Sequence, residues 1–457
     1  MAFENIIKGL SSKRVIGVVV KWKYPFFTEL QNLQKPKDAA LVGIFGEPLK
    51  QKIPDHVLQF FDVVVWFEAD YAKFESVYTD ANCITLPEIE PYISKIVEIA
   101  GPEKIQIFET EEFLIEPICQ VREKFNIPGP RSSDLLYLRD KAILKALAEE
   151  KQLPTMKYAL FTPSEVTPEA VEAKIQEILT RVQTFPMFRK PTNGCGSGGG
   201  GQLNSEAELR EFVKTEVSKH ESEAKYLIEE CIESEDIAEF WACAVLLADG
   251  TIKPYYIILC KRGMTNVDHL KTGYPMRFYG ATYESVETEF PNLSQFVLNV
   301  TTKLNPPKPH VFCVQGFQKH FGSPDYLLTE VAYRINGGRG TPVGYYGAGI
   351  SPETALIACH IDPDYKVEPD PARPRFHRMY LWYPQVAGTL VEQNGLPEGH
   401  PVTSRVDFAW AIPVGTKCTT AASFAHFALT LTIDHDDADV LERDVTWLEE
   451  NWRPRFE

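Results

Sequence analysis

The sequence predicts a mixed α/β and α+β fold: an N-terminal doubly wound parallel α/β unit, then a chain whose C-terminal part is β-rich. Three observations carry this reading. Through residues 1–130, short apolar runs alternate with helical patterns, the order of elements that lays helices over a parallel sheet. The cluster Ile127-Pro128-Gly129-Pro130 then breaks the pattern, as a turn and domain boundary do. From residue 226 onward, strand-type runs and hairpin signals dominate.

In chain order, Arg14–Val20, Ala40–Phe45, Phe61–Phe67 and Ile105–Phe108 are short, rich in Val and Ile, and polar at their flanks. Those features favour buried strands over helices. The segment Glu112–Phe125 is amphipathic and expected to be helical. The unit contains no G-x-G-x-x-G, so a dinucleotide site is not supported. A helix is expected over Ser133–Gln152, capped by Ser132 or Ser133. A small α/β stretch with a glycine-rich loop completes residues 131–225. Within 226–457, a helix is expected near Ala421–Leu429 and an amphipathic terminal helix over Val440–Glu457.

The bulk properties narrow the function. Net charge is −16, from 47 basic and 63 acidic residues, and such a surface repels phosphate backbones, which excludes nucleic acid as a general partner. No stretch approaches the roughly 20 apolar residues of a membrane span, and MAFENIIKGLSSKR has no apolar run suited to a signal peptide. The nine cysteines are scattered without a C-x-x-C pair. They are expected to be reduced small hydrophobes of a cytosolic protein, not disulfides or a zinc site.

Four constellations carry chemistry. Phe185–Lys190 is strand-like and runs into Pro191-Thr192-Asn193-Gly194-Cys195-Gly196-Ser197-Gly198-Gly199-Gly200-Gly201. Glycines let backbone N–H groups approach an anion, and Lys190 places an ammonium beside it. A flexible linker would lack the preceding strand. The lysine precedes the glycines, so this is not G-x-x-x-x-G-K-[ST]. Second, Arg139-Asp140-Lys141 sits on the early helix; alone, it reads as a solvated face. Third, Tyr226–Ile232 is a strand with Glu229 and Glu230 on opposite faces, followed by Glu235 and Glu239. Fourth, Phe312–Lys319 and Tyr326–Ile335 flank a turn. Centred between Gly322 and Ser323, the hairpin sets Gln315 opposite Glu330, with Cβ atoms ~5 Å apart, a spacing at which two oxygens can share a hard cation. Glu330, Ala332, Arg334 and Asn336 then share one face beside Gly337-Gly338-Arg339-Gly340.

Taken in order, these pieces resemble the ATP-grasp superfamily, over about residues 130–345, with the N-terminal unit similar to the domain that usually precedes it. The resemblance implies two α+β subdomains, 131–225 and 226–457, with ATP between them and the loop at Gly196, Ser197, Gly198 and Gly199 as a lid. It implies Lys141 and Lys190 on the ATP phosphates, and Glu229, Glu230, Cys231 and Ile232 as the adenine-contacting strand. Glu239, or else Glu235, holds the ribose. Gln315 and Glu330 hold Mg²⁺, and Arg334 serves the reacting phosphate. Two positions depart from the family pattern: Ala332 stands where Asn is frequent, and Gln315 where an acid is commoner. The adenine segment also carries two extra residues before Glu239.

The activity so implied is an ADP-forming ligase that phosphorylates a carboxylate or comparable oxygen and joins it to an amine. Arg339 and Arg277 are candidates for holding a substrate carboxylate, with Asn336 beside Arg334 in the catalytic group. The C-terminal length is similar to that of L-amino-acid ligases. The alternative is a natural-product ligase condensing an amino acid such as glycine with a cyclohexenone core, of the mycosporine type. A non-catalytic nucleotide-binding regulator, favoured by Ala332, belongs to a different class. Biotin-dependent carboxylation has no attachment sequence here. The expected partners are small acids and amines, and a homodimer stays open.

Overall fold

The computed structural model describes residues 7–68, 86–193, 199–219, 224–232, 236–337, 340–424 and 426–457. The expected N-terminal sheet is present. Strands β1 (Val15–Lys21), β2 (Ala39–Gly46), β3 (Val63–Phe67) and β4 (Ile105–Glu109) run parallel in the order β3-β2-β1-β4. Every residue of β1 and β2 is buried, as required of parallel strands covered on both faces. One face packs Ile16, Val18, Ala40 and Val42 against the helices Glu90–Ala100 and Ile115–Lys124. The other packs Val19, Leu41, Phe45 and Phe108 against the helix Pro352–Ile361, so a helix from far along the chain completes this layer. A Cβ at Gly17 would stand 2.7 Å from Ile361 Cγ2, and only glycine admits that approach.

A second, antiparallel sheet holds β5 (Tyr158–Phe161), β6 (Met187–Pro191), β7 (Gly201–Leu203) and β8 (Tyr226–Glu230) in the order β5-β8-β6-β7. Helices Val171–Val182 and Glu206–Ser218 bury Ile175, Ile178, Leu209 and Val213 against its Met187 and Ile228. The third sheet is the frame of the molecule. It orders β9 (Ala238–Leu246), β10 (Ile252–Leu259), β11 (Met276–Ala281), β12 (His310–Gln318), β13 (Tyr326–Ala332), β14 (His377–Pro384), β16 (Arg405–Trp410) and β18 (Phe427–His435) as β13-β12-β9-β10-β11-β14-β18-β16. A small ribbon joins β15 (Gly388–Glu392) to β17 (Lys417–Cys418) and β19 (Arg455–Phe456).

Three sequence expectations need correction. The helix expected over Ser133–Gln152 is two pieces, a 3₁₀ segment Ser132–Leu138 and an α-helix Lys141–Glu150. The break falls at Asp140, whose carboxylate accepts from Ala142 N at 2.8 Å and Ile143 N at 3.2 Å and so caps a fresh helix. Of the helix expected near Ala421–Leu429, Ala421–Phe424 form a turn and Phe427–Leu429 begin β18, which pairs with β14 and β16; alternating Leu, Thr and Ile fit a strand with neighbours on both sides. The terminal helix spans only Ala438–Asn451, and Pro454 precedes β19, where a helix cannot continue. The described cysteines are free thiols, and all but Cys231 are buried.

A buried histidine pair joins the first and third sheets. His310 Nδ1 lies 3.0 Å from His360 Nε2, and His310 Nε2 lies 3.2 Å from Tyr333 O. Donation from His310 to Tyr333 O leaves Nδ1 to accept from His360. His360 stacks on Phe108 and His310 on Tyr333. Burial first, and then the Arg122 guanidinium, push His360 down to about 3; burial, His360 and Arg122 push His310 down too. Both rings are therefore neutral. The unfolded chain takes up protons below about pH 6.5 while the folded pair resists. Stability is thus present above that pH and falls as pH drops through it, by up to about 1.4 kcal/mol per pH unit for each ring. Denaturant midpoints measured from pH 7.5 to 5.5 should fall, with about half the histidine-linked slope in His360→Gln; equal slopes in both proteins would contradict this account.

Candidate functional site

The cleft between the small sheet and the eight-stranded sheet gathers most of the sequence-selected residues. Its inner wall is built on Glu229. Alternation along β8 turns Glu229 inward, 2% exposed in its side chain, and leaves Glu230 half-buried. The Glu229 carboxylate meets Lys145 Nζ at 2.8 Å and Lys190 Nζ at 2.6 Å. Burial alone would raise this carboxyl, but the two ammoniums hold it down at about 2. Lys145 is pulled down by its own burial and by Lys190 against the attraction of Glu229. Lys190 has burial against it too, yet Glu229 and Glu330 raise it. One carboxylate between two cations is an ionised triad, and the depressed Glu229 is the direction that decides it. Lys145 escaped the sequence reading; its signal was the i, i+4 spacing from Lys141, which places both on one helix face.

Lys141 opens the capped helix, and its backbone N–H donates to Thr192 O at 2.9 Å. Its Nζ lies 3.4 Å from Glu330 Oε1. Beyond Lys190, Arg189 donates to Gly199 O at 3.2 Å, and Gly199 has φ +73°, a left-handed position suited to glycine. Gly196, Ser197 and Gly198 lie outside the described residues, as do Glu235 and Arg339. On the segment expected to contact adenine, Glu230 N donates to Lys157 O and Cys231 N to Pro186 O; Ile232 follows as the segment leaves the sheet.

The expected hairpin register is found: Gln315 pairs with Glu330. A bulge between Gln315 and Gly316 shifts the pairing nearer the turn. On the neighbouring strand, Glu239 Oε1 accepts from Gln315 Nε2 at 2.5 Å and from Asn266 Nδ2 at 2.8 Å, while Asn266 N donates to Oε2 at 3.0 Å. Burial raises Glu239 to about 7, offset by the Asn266 N–H and Gln315 and reinforced by Glu330. Among the described residues no group of three His, Cys, Asp or Glu could hold a metal by itself. An amide oxygen and a carboxylate side by side nonetheless fit Mg²⁺ that arrives on phosphates and keeps some waters.

Arg334 follows the end of β13 at a bend, so the single face expected from Glu330 to Asn336 is interrupted. Its Nε is ion-paired with Glu112, and Nη1 donates to Ile335 O at 2.8 Å. Burial opposes the charge on Glu112, but Arg334, Arg139 and Lys141 hold its carboxyl below the usual range. Glu112 comes from the segment after β4, and so the N-terminal unit reaches the cleft. Asn336 is buried against the sheet, donating to Cys243 Sγ at 3.1 Å and Tyr256 Oη at 3.2 Å; its carbonyl accepts from Thr341 at the start of the helix Gly340–Ala348. Arg277 is taken up by the terminal helix, with Glu449 Oε2 at 2.6 Å and Glu442 beside it.

No family model matches the chain. Solved structures do. An L-amino acid ligase from Bacillus licheniformis superposes with TM-score 0.63 at 15% identity, over 97% of this chain and 100% of that one. An N5-carboxyaminoimidazole ribonucleotide synthetase, solved as its ADP complex, gives 0.56 at 14% identity, over 96% and 97%. A biotin carboxylase from Campylobacter jejuni, solved with β-γ-ATP, gives 0.55 at 14% identity, over 94% and 89%. At these identities the likeness shows a shared fold alone.

Replacing Glu229 by Gln leaves two buried ammoniums without their counter-ion. Removing one member of a buried ion pair costs about 3–5 kcal/mol, so Glu229→Gln should lose about that much in urea unfolding, and a loss under about 1 kcal/mol would contradict the triad.

Proposed function

We propose that this chain is an ATP- and Mg²⁺-dependent ligase that phosphorylates a carboxylate, or a comparable oxygen, and joins it to an amine with release of ADP and phosphate. The observation that carries this reading is the convergence of Lys141, Lys190, Gln315 and Glu330 in one cleft between two sheets. In this reading residues 1–130 form the preceding unit, 131–225 the lid-bearing subdomain and 226–457 the catalytic part. Lys141 and Lys190 bind the phosphates, and Glu229 to Ile232 carry the adenine, with Glu239 as the ribose acid. The loop through Gly196, Ser197, Gly198 and Gly199 closes over the phosphates and excludes water from the reactive intermediate.

Gln315 and Glu330 are the residues that would hold Mg²⁺, which when bound neutralises phosphate charge. Arg334, delivered against Glu112, faces the charge that develops on the oxygens exchanging the phosphoryl group. Asn336, buried just beyond Arg334, supports the segment that presents it. An amino acid is the amine we favour. The cyclohexenone-type substrate is the second reading, favoured by the paired rings of Trp241 and Phe278. A silent regulator has no use for the ion pair that holds Arg334 at the cleft. Among the described residues no helix is long and apolar enough to cross a membrane.

The test is phosphate release from ATP and Mg²⁺ by purified protein across a panel of acids and amines, beside Glu330→Ala. Release that needs one acid–amine pair and drops at least about a hundredfold in Glu330→Ala is expected, a loss on the scale of one transition-state contact. ADP binding without turnover on any pair would favour the regulator.

A further inference from the structure

The wall of the cleft next to the Gln315–Glu330 pair is aromatic. Trp241 is the direct cross-strand neighbour of Gln315 on β9, and alternation puts it on the same face as Glu239. It is half-buried, and its ring stands 6.0 Å from that of Phe278 on β11, also half-buried. Behind them Met276, Cys260, Leu270 and Trp382 form a buried apolar cluster, with Phe424 packed on Trp382 at 5.2 Å. Among the described residues of this wall, Trp241, Phe278 and the cluster behind them, none is acidic. The nearest carboxylate, Glu239, is committed to Asn266 and Gln315, and Arg277, one residue from Phe278, turns to the terminal helix.

This wall also lies beside the reacting end of the cleft. Trp241 pairs on its other side with Ile258. A Cβ on Gly340 would stand 3.0 Å from Ile258 Cδ1, so the start of the helix Gly340–Ala348 packs over that neighbour. Across the sheet, Trp241 is two strand spacings from Glu330, roughly 10 Å, about the length of one six-membered ring with an acid group. Glu330 and the aromatic wall thus stand on one face of the sheet, two strand spacings apart, with Gln315 between them.

Resting on the nucleotide reading above, we propose that the phosphoryl-accepting substrate carries a ring, stacked on Trp241 and Phe278 with its acidic oxygen toward Glu330 and Arg334. Aromatic faces favour planar or compact ring partners in offset contact, and a half-buried indole in a cleft gains when a ligand covers it. Trp241 and Phe278 are then specificity-determining residues. A linear amino acid would place its ammonium against an apolar surface with no counter-charge, which is unfavourable.

The test uses cyclohexanecarboxylate and benzoate as probes, with hexanoate and 6-aminohexanoate as linear controls. Binding to the full chain in Mg·ADP is followed by saturation-transfer NMR, with ADP affinity measured in parallel. Ring acids should bind at least tenfold tighter than either linear acid. Trp241→Ser should weaken them at least tenfold, and Trp241→Phe should restore most of the loss, with ADP affinity unchanged throughout. Linear acids that bind equally well, ring acids that do not bind, or ring-acid affinity indifferent to Trp241→Ser would each overturn the ring proposal while leaving ADP binding intact. Failure of the wild-type chain to bind ADP would instead remove the nucleotide reading beneath it.

Discussion

The structure of the cleft depends on one buried carboxylate. Glu229 sits at the junction of three pieces of chain: β8, which carries it, β6, which brings Lys190, and the helix Lys141–Glu150, which brings Lys145. Lys145 lies 3.3 Å from Leu328 O on β13, and Thr155 bridges to the same carbonyl at 3.1 Å. The small sheet is therefore tied through Glu229 to the strand that carries Glu330. A buried ion group of this kind is a weak source of net stability, yet it fixes geometry because no other arrangement leaves its charges paired. Lys145 acts as the permanent partner. It gives Glu229 a counter-ion independent of Lys190.

A second linkage sets the opposite side. Lys21, fully buried at the end of β1, lies 3.5 Å from Glu353 and donates to Thr110 Oγ1 at 2.6 Å. Glu353 accepts from Phe27 N and Thr28 N at 3.0 and 2.8 Å. These contacts lock the loop after β1 to the helix Pro352–Ile361, and with it the N-terminal sheet to the large one. The same junction brings Glu112 to Arg334. An N-terminal unit with no nucleotide fingerprint of its own thus reaches the third sheet, by holding Arg334 through Glu112.

How far the sequence could be read follows from the range of each interaction. The hairpin was legible because side-chain period and the approximate turn position set Gln315 against Glu330, although nearer the turn the pairing is offset by one residue across the bulge that directly follows Gln315. Glu229 against Glu230 was legible from alternation alone. Asp140 shows the opposite case: a capping residue inside a Leu- and Ala-rich pattern looked like helix interior until its carboxylate was seen on the Ala142 and Ile143 amides. Phe427–Leu429, the end of the helix expected near Ala421–Leu429, was misjudged because its strand character comes from β14 and β16 on either side. Glu112 with Arg334, and His310 with His360, join residues far apart in the chain that no local pattern connects. Trp241 and Phe278 gave no signal because a lone aromatic in a strand is usually core.

The central claim is that the cleft between the two sheets is a nucleotide site whose phosphates are held by Lys190 beside a compensated Glu229. Calorimetric titration of Mg·ADP into the wild-type chain and into Lys190→Met tests it most directly. The account predicts one site per chain, with affinity reduced at least tenfold in Lys190→Met while the folded state persists on the Lys145–Glu229 pair. Absence of binding to the wild-type chain, or equal affinity in both proteins, would contradict it.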